Sequence, residues 1–435
     1  MQALLSFDQA PPISAPLRFF LSAPLFAMLA GALILYSGPA LFASRWTPAA
    51  LALTHLITVG FMLQVLLGAL LQLLPVVVGA NMARPLGLAR VVHLAISAGA
   101  LSLAAAFLSY APALFGAAVF FLAGGVLLFI GAAGRALHGI AASTPTVRGL
   151  KLALLGLSAT ALSGALLAIA LGGWLSLPLL ELTSLHLGWG LMGWACTVLA
   201  AVSFVVVPMF QLTPEYPGWF ARNFAFAVLT ALVLWTLAEL AGWITSALLL
   251  GAATLVTGAV FAGLTLRLLG SSKRPKHDAS QHLWRFSMAS ALLACTLWLA
   301  SNLVPTLRLW PGFPLLLGVL VLAGCFMSAI LGMLYKIVPF LVWLHLQNLG
   351  HGRLLAPNMK KVLPQSRIDR QTLAHLLACA LLGLSVFWPA WFVRPAGLAL
   401  IVANGWLLRN LLYATGVYKK HLAKLETDHA KSVVP

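Results

Sequence analysis

The chain has 435 residues, 62% of them hydrophobic and 8% charged, with a formal net charge of +18. A soluble chain would carry roughly a quarter charged residues, whereas here apolar runs long enough to cross a hydrocarbon core of about 30 Å recur from end to end. That excludes a soluble globular or disordered protein and predicts an all-α polytopic membrane protein.

The opening stretch, "MQALLSFDQAPPISAPLRFF", lacks a cationic segment followed by a short apolar core and a small-residue cleavage site, so no removable signal peptide is expected. Hydropathy then predicts twelve spans, near 16–37, 50–78, 88–110, 112–133, 151–174, 184–211, 221–243, 245–268, 283–304, 313–342, 371–391 and 395–416. On one side the connecting loops hold only Arg45, Arg308 and Arg394. The other side holds Arg84 and Arg90, then Arg135, Arg148 and Lys151, then Arg222, then Lys273, Arg274 and Lys276, then Arg353, Lys360, Lys361, Arg367 and Arg370, and a tail with Lys419, Lys420, Lys424 and Lys431. The positive-inside rule makes this basic face cytoplasmic, together with both termini, in a bacterial-type inner membrane. Orientation thus accounts for the net charge. The expected partner is the lipid bilayer, and no nucleic acid is called for.

The second, sixth and tenth spans end alike, in "LLQLLPVVVGA", "VSFVVVPMFQ" and "GMLYKIVPFLVW". Their prolines, Pro75, Pro208 and Pro339, recur at near-equal intervals and are expected to close these helices at the basic face. The spacing predicts one transmembrane domain of three four-helix blocks, at about 1–135, 136–270 and 271–416, followed by a tail at 417–435. His55 precedes Pro75 in the first block much as His186 precedes Pro208 in the second. At the helical rise per residue each of these stretches measures about 30 Å, one hydrocarbon thickness, which puts both imidazoles at the outer ends of equivalent helices. The third block has Leu317 or Val319 there.

Ionisable groups within spans are functional candidates by default. On the outer side these are His55, His186 and Glu239, with Glu181 slightly further out. Neutral imidazole is a common ligand of haem iron, copper and zinc, and a neighbouring carboxylate serves as a further metal ligand, an orienting partner or a proton relay. A lone interfacial histidine is as readily a hydrogen-bonded structural residue, and shared depth on equivalent helices leaves both readings open. A second group, His93, His282, His345 and His375, lies toward the basic face, where a second haem, a proton entry path or interfacial snorkelling would each explain it. His138, His277, His351, His421 and His429 fall in basic loops or the tail and are expected to be solvated, while Lys336 is deep enough to reach for the interface. Gly60, Gly68 and Gly79, with Gly188, Gly190 and Gly193, suit either tight helix contact or a flat macrocycle beside a ligating histidine. Cys196, Cys295, Cys325 and Cys379 lie in apolar runs with no CxxC spacing and read as core residues.

Twelve spans in three blocks, with outer-end histidines on the second and sixth, resemble subunit I of the haem–copper oxidase superfamily. In that family the histidine of the second helix ligates low-spin haem and that of the sixth ligates copper, the roles implied for His55 and His186. From His55 to Gly79 the second span is more similar to the NnrS family, whose motif matches His55, Gly60, Gly68, Pro75 and Gly79. This resemblance implies haem b, copper as a second candidate metal, a redox partner or a gaseous ligand such as nitric oxide, and a place in denitrification or electron transfer. Departures from the patterns are specific. The seventh span, "NFAFAVLTALVLWTLAELAGW", has no paired histidines, and "FPLLLGVLVLAGCF" in the tenth has no His-x-His. Gly190 stands where the oxidases carry a tyrosine, and Leu53 and Leu56 stand where NnrS carries a further histidine and a glutamate. A complete oxygen reductase is therefore not expected. The competing reading is a cofactor-free secondary transporter, which calls for interrupted helices and a site at the midplane.

Overall fold

A computed structural model describes residues 9–274, 276, 278–350 and 356–433. The solvated-loop expectations for His277 and His351 lie outside this set, as does the one for the His429 side chain. The described residues form helices and no strand. Twelve are long and apolar enough to span a bilayer: α1 Ser14–Ala43, α2 Pro48–Val78, α3 Pro85–Ser109, α4 Pro112–His138, α5 Pro145–Leu171, α6 Leu179–Gln211, α7 Gly218–Leu240, α8 Ile244–Gly270, α9 Ala279–Ser301, α10 Phe313–Leu349, α11 Gln365–Phe387 and α12 Pro389–Leu425. Several begin before the hydropathy does, because Pro48, Pro85, Pro145 and Pro389 occupy first-turn positions, where a missing N–H costs nothing.

Consecutive helices pack against one another, and α12 returns to α1, closing the bundle. Three helices stand inside it. The apolar stretches of α2, α6 and α10 are 78, 67 and 56% buried, against 22–50% for the other nine. These are the helices that share the proline endings, and their hydrophobicity on all sides is what an interior helix requires. Where backbones approach most closely the residue is glycine. A Cβ on Gly156 of α5 would lie 2.1 Å from the Gly193 carbonyl oxygen of α6, and one on Gly31 of α1 would lie 2.7 Å from the Gly397 carbonyl oxygen of α12.

Each interior helix widens into a π-helical segment: Leu56–Leu63, Trp189–Cys196 and Val319–Met327. These segments recur at nearly the same interval as the prolines. Immediately after each comes a polar residue with no solvent exposure, namely Gln64, Thr197 and Ser328. The Thr197 hydroxyl donates to the Met192 carbonyl at 2.8 Å and that of Ser328 to the Ala323 carbonyl at 3.2 Å, five residues back in each case. These hydroxyls occupy carbonyls that the wide turn leaves accessible.

The prolines do not all close their helices. Pro208 and Pro339 lie inside α6 and α10, and α10 runs on from Pro339 to Leu349. A proline removes one backbone bond, which surrounding helices make tolerable in a bundle. Lys336, one turn before Pro339, bonds Asp278, the N-cap of α9, rather than simply reaching outward. Asp278 also accepts from Arg274 at 3.0 Å and from the Gln281 N–H at 3.1 Å. Burial alone would raise this carboxyl, but Lys336 through its hydrogen bond and charge, with Arg274 and the Gln281 N–H, holds it below the usual carboxylate range. Arg274 reaches on to the Phe210 carbonyl at 2.6 Å, so the cluster ties the end of α6 and the start of α9 to the body of α10.

Candidate functional site

His55 and His186 come together. Their ring centroids are 6.3 Å apart with planes 18° from parallel. His55 ends the regular α-helical part of α2, just before its π segment, and its Nδ1 meets the Leu51 carbonyl of the preceding turn at 2.8 Å. His186 stands three residues before the π segment of α6. Its Nδ1 meets the Thr160 carbonyl of α5 at 3.1 Å and the Ser163 hydroxyl at 3.3 Å. Phe107 of α3 covers His55 at 5.1 Å. Gly164 of α5 leaves room for the other ring, since a Cβ there would lie 2.8 Å from His186 Cε1.

A carbonyl oxygen only accepts. Each Nδ1 therefore carries its proton and donates it, and each Nε2 keeps a lone pair. Imidazole ligands are commonly held this way, with one ring nitrogen fixed on a carbonyl and the other presented to the metal. Two imidazoles, each with Nδ1 on a carbonyl and Nε2 carrying a lone pair, are donors of the kind that haem iron or copper takes.

The carboxylates do not join it. Glu239 accepts from the Trp235 indole N–H at 3.1 Å, one turn back on the same face of α7. Glu181 is exposed in the first turn of α6. It precedes His186 by five residues, about 140° around the helix, so the two point apart. Among the described residues no three His, Cys, Asp or Glu side chains form a group able to hold a metal ion. Glu239 is thus placed apart from the pair as a ligand, and neither carboxylate contacts it as a relay.

The four histidines toward the basic face do not converge either. His93 Nε2 bonds the Ser22 hydroxyl at 3.0 Å, and Phe19 stands edge-on to its ring. His345 has Nδ1 on the Leu341 carbonyl and Nε2 on the Pro11 carbonyl, both at 2.9 Å, which fastens the segment before α1 to α10. His282 is exposed at the start of α9. His375 is fully buried on α11, with Nε2 2.8 Å from the Ser328 hydroxyl. The hydrogen bonds of His93, His345 and His375 go to separate partners.

The glycines of α2 and α6 serve packing. A Cβ would meet Phe26 at Gly60, Phe19 and Phe20 at Gly68, Trp235 at Gly188, and Trp189 at Gly193, all within 3.0 Å. Gly79 is different: it takes φ +73° at the end of α2, with nothing near its missing side chain. No known family model matches the chain, and no curated protein matches its sequence.

Proposed function

We propose that this is a haem-binding inner-membrane protein related in architecture to subunit I of the haem–copper oxidases and, through α2, to NnrS. His55 and His186 hold the metal, and copper is the alternative occupant of the same pair. The observation that carries the reading is the meeting of these two imidazoles, each with Nδ1 spent on a backbone carbonyl and Nε2 left as a donor. When bound, the group would supply one-electron redox chemistry, and a diatomic ligand such as nitric oxide would bind on displacing one of the two imidazoles.

The chain's own part is to orient and shield. Leu51, Thr160 and Ser163 fix ring orientation and tautomer, Phe107 covers one imidazole, and Gly164 makes room for the other. The basic face is cytoplasmic in this proposal, so the pair lies toward the outer surface, within reach of an external redox partner. Three four-helix blocks are part of the same reading. The recurring π segments, the buried polar residue after each, and the interior placement of α2, α6 and α10 support them.

A secondary transporter would place unwound half-helices at the midplane. The three interior helices instead stay continuous, widened rather than broken. The test is pyridine haemochrome and copper analysis on full-length protein from haem- and copper-replete cells, for the parent and for His55→Ala and His186→Ala. The proposal requires a metal-bearing group in the parent that both variants lose while still inserting. A parent free of haem and copper returns the pair to a structural role and favours the transporter.

A further inference from the structure

The third block contains a second polar system that does not touch the His55–His186 pair. Arg367, Gln371, His375 and Cys379 follow one another at intervals of four on α11 and so form one stripe. Arg367 lies near the basic end, with its guanidinium 4.2 Å above the Tyr413 ring of α12. The Asn410 amide of α12 donates to the Arg367 carbonyl and to the Tyr335 hydroxyl of α10, both at 3.2 Å. One turn further in, the Gln371 amide donates to the Ala403 carbonyl at 3.1 Å. The stripe reaches His375 about 12 Å in from Arg367. Above it the buried positions of α11 are Ala378, Cys379, Leu382 and Val386, and the one polar group, the Ser385 hydroxyl, is spent on the Leu381 carbonyl. The ladder therefore ends at the imidazole.

What distinguishes this ladder is the set of atoms it leaves over. Gln371 Oε1, Thr372 Oγ1, Asn404 Oδ1, Asn410 Oδ1 and His375 Nδ1 are buried without a hydrogen-bond partner. Their residues are 0, 6, 1, 0 and 0% exposed. With the Ser328 hydroxyl donating to Ala323, His375 Nε2 is the N–H that bonds Ser328, and Nδ1 is left as an acceptor. All five atoms accept hydrogen bonds, and hydrocarbon offers no donor. A single cation does not answer for them. Asn404 and Asn410 alone are separated by about 9 Å along their helix, far beyond the roughly 2.3–2.6 Å reach of oxygen ligands to a common ion. A file of water molecules does, since each water supplies two donors and links groups at such spacings.

We propose that α10, α11 and α12 enclose a water-lined inlet that carries protons from the basic face to His375. A proton arriving along the file passes from water to Nδ1, breaking an O–H bond and forming an N–H bond, and returns by the reverse step. The titratable groups along the route are Arg367 and Tyr335 near its mouth and Cys379, whose Sγ is 3.5 Å from His375 Nε2. The inlet needs no cofactor and stands independently of the metal site.

The test is water-edited solid-state NMR of the full chain in lipid bilayers with ¹⁵N-labelled histidine, the His375 signal being assigned by its loss in His375→Gln. The expected result is magnetisation transfer from water to His375 as fast as to the exposed His138, slowed at least several-fold in Gln371→Leu and in the near-isosteric Thr372→Val. Transfer in the parent protein as slow as to core methyl groups would overturn the proposal. So would fast transfer untouched by both substitutions. If Gln371→Leu fails to fold, the parent measurement and Thr372→Val still decide.

Discussion

His55 and His186 lie on different helices, α2 and α6, yet their rings stand 6.3 Å apart, each tied through Nδ1 to a backbone carbonyl. Two helices that do not follow one another in the chain bring these two rings together. Shared occupancy has a sharp consequence. His55→Ala, His186→Ala and the double variant should lose the bound group to the same extent, because one imidazole does not hold what two hold. Stability of the cofactor-free protein should change by only about 1 kcal/mol per substitution, the worth of one hydrogen bond. Metal content and thermal unfolding in detergent check both parts.

Gly164→Ala leaves both imidazoles in place and moves one of them. A Cβ 2.8 Å from His186 Cε1 cannot be accommodated without turning the ring, and disturbed ligand orientation typically costs about 10-fold or more in metal affinity. Titration of the apo protein with haem or Cu(I) should show weakened binding with unchanged stoichiometry.

The closest backbone contact gives a prediction independent of any cofactor. At Gly156 a methyl group would meet the Gly193 carbonyl at 2.1 Å, and neither backbone can yield. Gly156→Ala should cost about 3 kcal/mol or more by forcing α5 away from α6. Gly134→Ala on α4, where no atom lies within 4 Å, should be neutral or slightly stabilising. Unfolding curves for the two variants in the same detergent make the comparison.

Asp278 faces both Lys336 and Arg274. Asp278→Ala should destabilise by roughly 2–4 kcal/mol, since it leaves two half-buried cations unpaired. Asp278→Asn keeps an oxygen for the Gln281 N–H and should recover about 1 kcal/mol of capping. The sign of the pH dependence follows from the lowered carboxyl: its stabilisation is complete at neutral pH and is lost as the pH falls through and below the usual carboxylate range. Acid unfolding of the parent should carry this contribution, and Asp278→Asn should lack it.

Much of the architecture is legible in the sequence, because lipid leaves a chain few options. The hydropathy predicts twelve spans, and the described residues form twelve helices long and apolar enough to span a membrane. The shared depth of His55 and His186 follows from counting back from Pro75 and Pro208, while the meeting of their rings is set by how α2 and α6 pack. The boundaries were harder. Pro48 and Pro145 start helices that hydropathy opens later, while Pro339, which looks like a terminus, is passed over because neighbouring helices support the backbone around it. The π segments leave no local mark, since a wide turn depends on the packing around it. Glu239 and Glu181 looked like companions of the pair from their depth alone; rotation about the helix axis, and the indole of Trp235, take them elsewhere. The ladder of α11 is visible as a stripe from Arg367 to Cys379, but which of its atoms lack partners is decided by Asn404, Asn410 and Ala403 on α12.

The central claim is tested most directly by the reduced-minus-oxidised optical spectrum of the purified full chain, recorded with dithionite and repeated on His186→Ala. The account predicts a Soret band that shifts and sharpens on reduction and is missing from the variant. A spectrum without that band, together with no copper in the same sample, or a band that survives in His186→Ala, would contradict it.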